Sequence, residues 1–447
     1  MPAEHNRKPL REERSDSVLL RNCTLVCLDP PSMQEGDLRT GGGVVLERGS
    51  ALKHRSGDAV IDVGRRIVMP GFVNAHTHLY SALSRGMPPP KAAPKNFLQI
   101  LKSIWWKVDE ALDEETIYHS AIAGAIEAVR CGTTTLVDHH ASPNCIPGSL
   151  DIIKDALSHV GLRGILCYET TDRGGSKRRD LGLQENERFL VENVHASHFR
   201  GLMGAHASFT LENATLMCLG ELAELYDSGV HVHVAEDAAD VEDARKNRRI
   251  DIIERLGKHH ILRSKSVLVH GVHLTGRHLS KISRSGAWMV HNPRSNMNNA
   301  VGYAPLRRFG PRTALGTDGF PSDMIEEARI GFFRNAESDQ RVEFSRMPTL
   351  LQNGQRLVSD LFGRTFGTLK PGTPADLIVM DYDPSTPLER RSLHGHVLFG
   401  MNSSSVVHVM IAGKWIVWDR HLLTMDEELV LAKARLAARK LWKKMSR

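Results

Sequence analysis

The chain reads as an α/β protein: a (β/α)8 barrel of the TIM type with a flanking β-sandwich. Three observations predict this. Short apolar segments alternate with helical ones through the middle of the chain, eight times over. Nearly every apolar segment ends in His, Asp or Glu, and a parallel barrel gathers its functional groups at the C-terminal ends of its strands. A doubly wound open sheet would collect them at one switch point instead. Finally, β-rich stretches bracket the alternating region at both ends.

The bulk properties agree. At 447 residues the chain exceeds the usual size of a single core, so one large domain with a smaller companion is expected. Apolar residues make up 41% and charged residues 25%, as in ordinary globular proteins. No apolar run is long enough to predict a transmembrane helix. The start, MPAEHNRKPLREERSDS, lacks the apolar centre of a secretory signal, and residues 1–16 are expected to be a disordered basic arm. Cysteines at 23, 27, 131, 145, 167 and 218 form no Cys-x-x-Cys pair. That argues against a disulfide framework or a cysteine-zinc site and fits a reducing cytoplasm. The net charge of +6 is mild for this length and comes with no aromatic–basic motif, so nucleic-acid binding is not expected.

Taken in order, residues 17–67 supply the first half of the sandwich, with strands at 18–28, 44–46 and 59–63. The barrel occupies 68–365. It opens on 68–80, VMPGFVNAHTHLY, an apolar stretch broken at Pro70 and Gly71 and ending in His76 and His78. The segment 81–100, with three prolines at 88–90, is a loop long enough to cover a site. Asp113 caps a helix carrying Ile117, Ala121 and Ala128 at helical spacing, and Gly132 ends it. Strands follow at 133–137, 164–168, 202–205, 230–235, 267–269, 287–290 and 312–316. They end respectively at Asp138, Glu169, His206, Glu236, His270, His291 and Asp318, and the helices between them lie at 150–160, 186–194, 214–227, 250–256 and 279–283. The second half of the sandwich, 366–421, has strands at 377–380, 405–411 and 414–417. Residues 422–447 form a C-terminal helix opened by a capping box from Thr424 to Glu427. Its stripe of Val430, Ala434, Ala437, Leu441 and Met445 reads as core or interface.

His76 and His78 are two apart on an extended segment and so point to one side. Two imidazoles at a strand end can hold one metal ion. A lone His-x-His is weak evidence, and the chain repeats the pattern at His231/His233 and His394/His396. Taken at the strand ends, the candidate ligands are His76, His78, His233 and Asp318. Three imidazoles and a carboxylate around an open position make a catalytic zinc- or iron-type site. Glu236 follows His233 by three residues and His270 closes the next strand, so both can contact a metal-bound water without being ligands. His231 is read as a satisfied core histidine, and His394 and His396 as structural residues of the C-terminal β region.

Several stretches resemble the amidohydrolase superfamily, in its metal-dependent aminohydrolase and chlorohydrolase branch. They are PGFVNAHTH at 70–78, HVAE at 233–236, VLVHGVHL at 267–274, HNPRSNM at 291–297, LGTDG at 315–319 and GTLKPGTPADL at 367–377. More narrowly, DHHASP at 138–143, CYETTDR at 167–173 and GAHASFTL at 204–211 resemble the SsnA-type aminohydrolases. The resemblance covers about residues 17–445 and implies a barrel with a flanking sandwich. It implies one divalent metal per chain, zinc or iron, on His76, His78, His233 and Asp318. Members with two metals bridge them with a carboxylated lysine at the end of the fourth strand. His206 stands there in this chain, which implies a single metal and a His206 that touches substrate. His270 would orient and polarise the metal-bound water, Asp318 would take its proton, and Glu236 would pass protons to a ring nitrogen. Glu169, Arg173, His139, His140, Arg85 and Trp106 are candidate substrate contacts at the rim, Arg173 as a bidentate partner for an acceptor group.

The expected reaction is hydrolytic deamination of a heteroaromatic or purine-like amine, with hydroxide adding to a ring C=N carbon and ammonia leaving. The alternative is the same fold cleaving a carbon–halogen or cyclic amide bond. A third reading is a metal-binding protein without catalysis. Against it stand Glu236, His270 and Asp318, proton-transfer groups that a binding protein does not need. A homodimer acting on a small molecule in the cytoplasm, away from membranes, completes the expectation.

Overall fold

The computed structural model describes residues 17–338 and 342–446. The basic arm expected at 1–16 lies outside the described residues. Strands Phe72–Thr77, Thr133–His140, Arg163–Tyr168 and Phe199–Gly201 form one parallel run. Met203–Ala207, Val230–Val234, Val267–His270, Trp288–His291 and Thr313–Leu315 form a second. Parallel bridges from Thr170 to Ala205 and from Thr77 to Asp318 join the two runs. With the pieces either side of Leu202 counted as one strand, the result is the eight-stranded barrel expected from the sequence. Every residue of the first three strands is buried, because helices cover the outside and side chains fill the inside. The filling is small and branched: Val73, Ala75, Val137, Ile165, Val269 and Val290. Just beyond the break in the fourth strand the chain passes close to its neighbour. A Cβ on Gly204 would sit 2.0 Å from the carbonyl oxygen of Tyr168, so only glycine fits.

The stretch at 68–80 divides between two sheets. Ile67–Pro70 pairs antiparallel with Leu377–Met380 in the flanking sheet, whereas Phe72–Thr77 begins the barrel. The flanking sheet holds nine strands drawn from both ends of the sequence. Ser17–Leu28 pairs antiparallel with Pro31–Gly41 and parallel with Asp58–Asp62 and Ile67–Pro70. On the far side, Leu377–Met380 leads to Val406–Ile411 and then to Lys414–Trp418, all antiparallel. The sheet makes a sandwich-like extension around Leu20, Leu25, Leu38, Val68, Leu377, Val379 and Met410.

Some elements depart from the sequence reading. The strand Pro31–Gly41, PSMQEGDLRTG, shows no apolar alternation and is held by pairing to both neighbours. The helix Ala238–Lys246, AADVEDARK, buries only Asp240 and Ala244, so its apolar stripe is too thin to read. The last helix, Glu427–Met445, is capped by Asp426 rather than Thr424: its carboxylate accepts from the Leu429 N–H at 3.0 Å. Ala434, Ala437 and Leu441 on that helix are buried, and Val430 and Met445 pack beside them. The loop after His78 begins with a 3-10 turn, Leu79–Ser84. It then enters a helix at Phe97–Ile100 that passes through a π turn, Leu101–Trp105, into Trp106–Ala111. Among the described residues, no helix is long and apolar enough to cross a membrane.

Candidate metal centre and active site

The C-terminal ends of the first, fifth and eighth barrel strands bring four side chains to one point. His233 Nε2 lies 3.3 Å from His76 Nε2 and 3.2 Å from His78 Nε2. Asp318 Oδ1 lies 2.9 Å from His78 Nε2 and 3.5 Å from His76 Nε2. A tetrahedral ion with bonds of ~2.0–2.1 Å has ligand–ligand edges of roughly 3.3 Å, so this spacing suits one shared cation. The remote ring nitrogens point the same way. His78 Nδ1–H donates to the His139 carbonyl at 2.6 Å and His233 Nδ1–H to the His206 carbonyl at 2.9 Å. With the proton on Nδ1, the Nε2 lone pair is free to bind a cation. The residues present therefore fit a divalent metal ion.

The backbone is constrained here. Ala235, His270 and Asp318 sit at φ of 50°, 72° and 56°, a region that residues with a Cβ seldom occupy. Thr317 and Asp318 both donate N–H to the His76 carbonyl, at 2.9 and 3.0 Å, and the His78 N–H donates to the Asp318 carbonyl at 3.2 Å. These bonds hold the Asp318 turn against the first strand.

Two carboxyl groups beside the cluster are driven apart in acidity. Burial penalises the Asp318 carboxylate, but the imidazoles of His76 and His78 against it outweigh this and hold the group well below the usual range. The Ser295 hydroxyl donates to its other oxygen. Glu236 is pushed well above the usual range by burial and by the Asp318 charge, with the Asn299 amide donating to Oε1 at 3.3 Å. Glu236 Oε2 lies 3.5 Å from His270 Nε2, which in turn lies 4.0 Å from Asp318 Oδ2. His270 Nδ1–H donates to Asn296 Oδ1 at 2.9 Å, leaving Nε2 unpartnered between the two carboxyl groups.

Above the cluster lies a cavity of about 460 Å³, within the range of small-molecule sites. His78, His206, His233, Glu169, Glu236 and Asp318 line its floor, and Arg85, Phe97, Trp105, Trp106 and Phe209 its walls. His206 Nε2 is 3.2 Å from Glu169 Oε1, and His206 Nδ1 meets Thr210 Oγ1 at 2.7 Å. The second Glu169 oxygen is buried without a partner, and burial lifts this acid to about 7. Arg85 reaches the rim and pairs with Glu127. Arg173 does not line the cavity: its guanidinium stacks on Trp106 at 4.2 Å and lies 3.7 Å from Asp109 Oδ2. His140 does not reach it either. Its Nε2 meets Ser142 Oγ at 2.9 Å and its ring lies against Tyr80 and Tyr168. His139 and His140 point to opposite faces of their strand, and His139 lies below the cluster with its ring stacked on His231.

Sequence reasoning passed over several residues of the site. Tyr80 and Asp109 line the cavity, and one Asp109 oxygen is buried without a partner. Burial and the nearby Glu169 charge raise Asp109 to about 8. Nothing in WKVDEA marks this acid as turned inward. Asp240 accepts from the Phe209 and Ala235 N–H groups at 2.9 and 2.8 Å, fixing the end of the fifth strand. Ser295 and Asn296 lie inside the HNPRSNM stretch that the sequence had already singled out, and Asn299 follows it closely.

The comparisons with known proteins agree with this geometry. The model of the amidohydrolase family matches residues 67–416. The chain is 30% identical over 397 residues to a 5-methylthioadenosine/S-adenosylhomocysteine deaminase of Syntrophomonas wolfei, covering 86% of this chain and 89% of that one. An adenosine deaminase from Xanthomonas campestris, solved with bound zinc, superposes with a TM-score of 0.81 at 23% identity, covering 95% and 98% of the two chains. An atrazine chlorohydrolase from Arthrobacter aurescens TC1, also solved with zinc, gives 0.80 at 19% identity over 94% and 100%. The two solved structures share the fold. The family match spans the whole barrel and the four side chains that converge at its mouth, and the chain accordingly belongs to the amidohydrolase family, as a metal-dependent hydrolase of carbon–nitrogen bonds.

Proposed function

We propose that the protein deaminates a purine-like heteroaromatic amine by hydrolysis, releasing ammonia, with one zinc ion on His76, His78, His233 and Asp318. The observation that carries this reading is Glu236, a buried carboxyl with strongly raised pKa that faces the cavity beside His270. An amine leaves only when protonated, and ring attack needs a proton at nitrogen, so a neutral carboxylic acid is the group the reaction requires. The relatedness to the Syntrophomonas wolfei deaminase supports an adenine-like substrate. Zinc suits a set of three imidazoles and one carboxylate, and it is the ion in both solved structures named above. His206 at the end of the fourth strand supports a single ion. All six cysteines are free, which supports a reducing cytoplasm.

Zinc held there supplies hydroxide at neutral pH. The remaining steps belong to the chain. His270, held through Asn296, presents Nε2 toward the attacking oxygen and orients it. Asp318 accepts the proton through the oxygen facing His270. Glu236 delivers its proton to the ring nitrogen; the water proton taken by Asp318 then passes through Glu236 to the departing amine, and the remaining hydroxyl proton restores the acid as the carbonyl forms. Glu169, steadied by His206, accepts from donor groups on the heterocycle, and the walls of Phe97, Trp106 and Phe209 pack on its faces.

The test is a parallel screen of aminopurines, pterins and aminopyrimidines with ammonia detection. Stoichiometric ammonia from an aminopurine is expected. Turnover of halogenated or cyclic amide compounds alone would overturn the reading.

A further inference from the structure

Beneath the metal site runs a hydrogen-bond chain that ends on a backbone carbonyl. Cys167 Sγ–H donates to the Asp138 carbonyl at 3.6 Å. The same sulfur lies 3.5 Å from His231 Nδ1, and His231 Nε2 lies 2.9 Å from His76 Nδ1. All three side chains are buried. The carbonyl fixes the direction of the whole chain, because it can only accept. The thiol hydrogen goes to the carbonyl, so the sulfur accepts from His231 Nδ1–H. A neutral imidazole carries one proton, so His231 Nε2 is a lone pair and accepts from His76 Nδ1–H. His76 Nε2 is then a lone pair, aimed at His233 Nε2 and Asp318 Oδ1. With the chain reversed, His76 would direct an N–H at the ion and could not bind it.

Two further observations support this direction. Burial raises the Cys167 thiol well above its usual range, which keeps its hydrogen in place. His139 stacks on His231 at 4.5 Å with ring planes 16° apart, and neither His139 nitrogen has a hydrogen-bond partner. It holds the His231 ring flat without competing for its nitrogens.

We propose that His231 is a positioning residue for the metal, selecting the metal-binding tautomer of His76, and that Cys167 sets the tautomer of His231. The inference rests on the metal reading of the site but not on the identity of the substrate.

The experiment measures zinc affinity of the full chain by competition with a chromogenic chelator, with the melting temperature of the zinc-free protein as the folding control. His231→Leu removes the acceptor, and zinc affinity is expected to fall on the order of 10–100-fold. His231→Gln restores an acceptor oxygen and should stay within about 3-fold of wild type. Wild-type affinity in a folded His231→Leu protein overturns the proposal. So does an equal loss in Leu and Gln, which would make the effect one of packing. If His231→Leu does not fold, the Cys167 pair decides. Cys167→Ala should weaken zinc and Cys167→Ser, which can both donate and accept, should not; equal affinities in the two overturn the assignment. A failed deamination screen leaves these affinities unchanged, so the two readings fail separately.

Discussion

In the flanking sheet Arg39 is buried against Asp58, with N–O distances of 3.0 and 3.1 Å, and also meets Glu47. Where that sheet meets the barrel, Arg163 grips Asp376 in a two-point pair at 2.7 and 3.2 Å, and the Ala412 N–H satisfies Asp376 further. At the barrel mouth the buried polar groups are left open. Glu169 Oε2, Asp109 Oδ1, His270 Nε2 and both nitrogens of His139 have no hydrogen-bond partner. A buried charge without a partner is costly, so a fold that only had to be stable would pair these groups or replace them with apolar ones. The sheet does so. Around the mouth unsatisfied groups remain, and Glu169 and Asp109 among them line the cavity.

Breaking the mouth should abolish turnover and spare the fold. His233→Ala removes one of the four proposed ligands. Elemental analysis should drop from close to one zinc per chain to a small fraction, with activity lost and the circular dichroism spectrum unchanged. Two tightly held ions in the wild type would refute the single-ion centre. Asp318→Asn keeps a ligand oxygen but cannot take a proton. We expect partial metal retention and a fall in turnover of roughly 10²–10⁴-fold, by steady-state kinetics. Near-full turnover would leave Asp318 a ligand only.

Glu236→Gln sharpens the comparison, since it keeps size and hydrogen bonding but removes proton transfer. Turnover of the amine should fall by ~10²-fold with zinc retained, and a halogenated analogue should lose less, because chloride leaves without a proton. The sign of the pH effect follows from the raised pKa. The acid form is the active one, so the wild type should lose rate on the alkaline side as Glu236 gives up its proton, and burial shifts that loss upward from the ordinary carboxyl range. The Gln variant should lack this alkaline limb. Equal losses for amine and halide would mean that Glu236 serves ring protonation alone or holds the site together.

The smallest effect on turnover is expected in the sheet. Asp376→Ala leaves Arg163 buried and unpaired, so stability should fall by about 3–5 kcal/mol with kcat nearly unchanged, by denaturant titration and kinetics at low temperature. Replacing both partners with apolar residues should recover much of the loss. A large drop in kcat would mean that the two regions are coupled.

The same contrast explains what could be read from the sequence. Parallel strands buried on both faces are apolar runs, and a polar residue ending each run stands out, so the barrel and the convergence of His76, His78, His233 and Asp318 were legible. His231 was read as core. It is core, but the alternation that turns His233 inward turns His231 inward as well, directly beneath His76. Asp109, Tyr80 and Phe209 were not legible, because which way a loop turns its side chains depends on the packing of chain far away. Arg173 and His140 share that problem in reverse: each sits in a resembling motif, yet stacking on Trp106 takes one from the cavity and strand alternation takes the other.

The bridge from Thr77 to Asp318 joins the first barrel strand to the end of the last, and Thr77 Oγ1 also donates to the Asp318 carbonyl at 3.1 Å. These residues are 241 positions apart, so this seam closes a loop that takes in the whole run of barrel strands. An ion shared by His76, His78 and Asp318, as proposed, would span the same seam and act as a reversible staple across it. Chelation should then do more than silence the enzyme. It should loosen the first and last strands before the rest, which hydrogen exchange at Val73–Thr77 and Thr313–Leu315 would register as early opening, with the middle strands still protected.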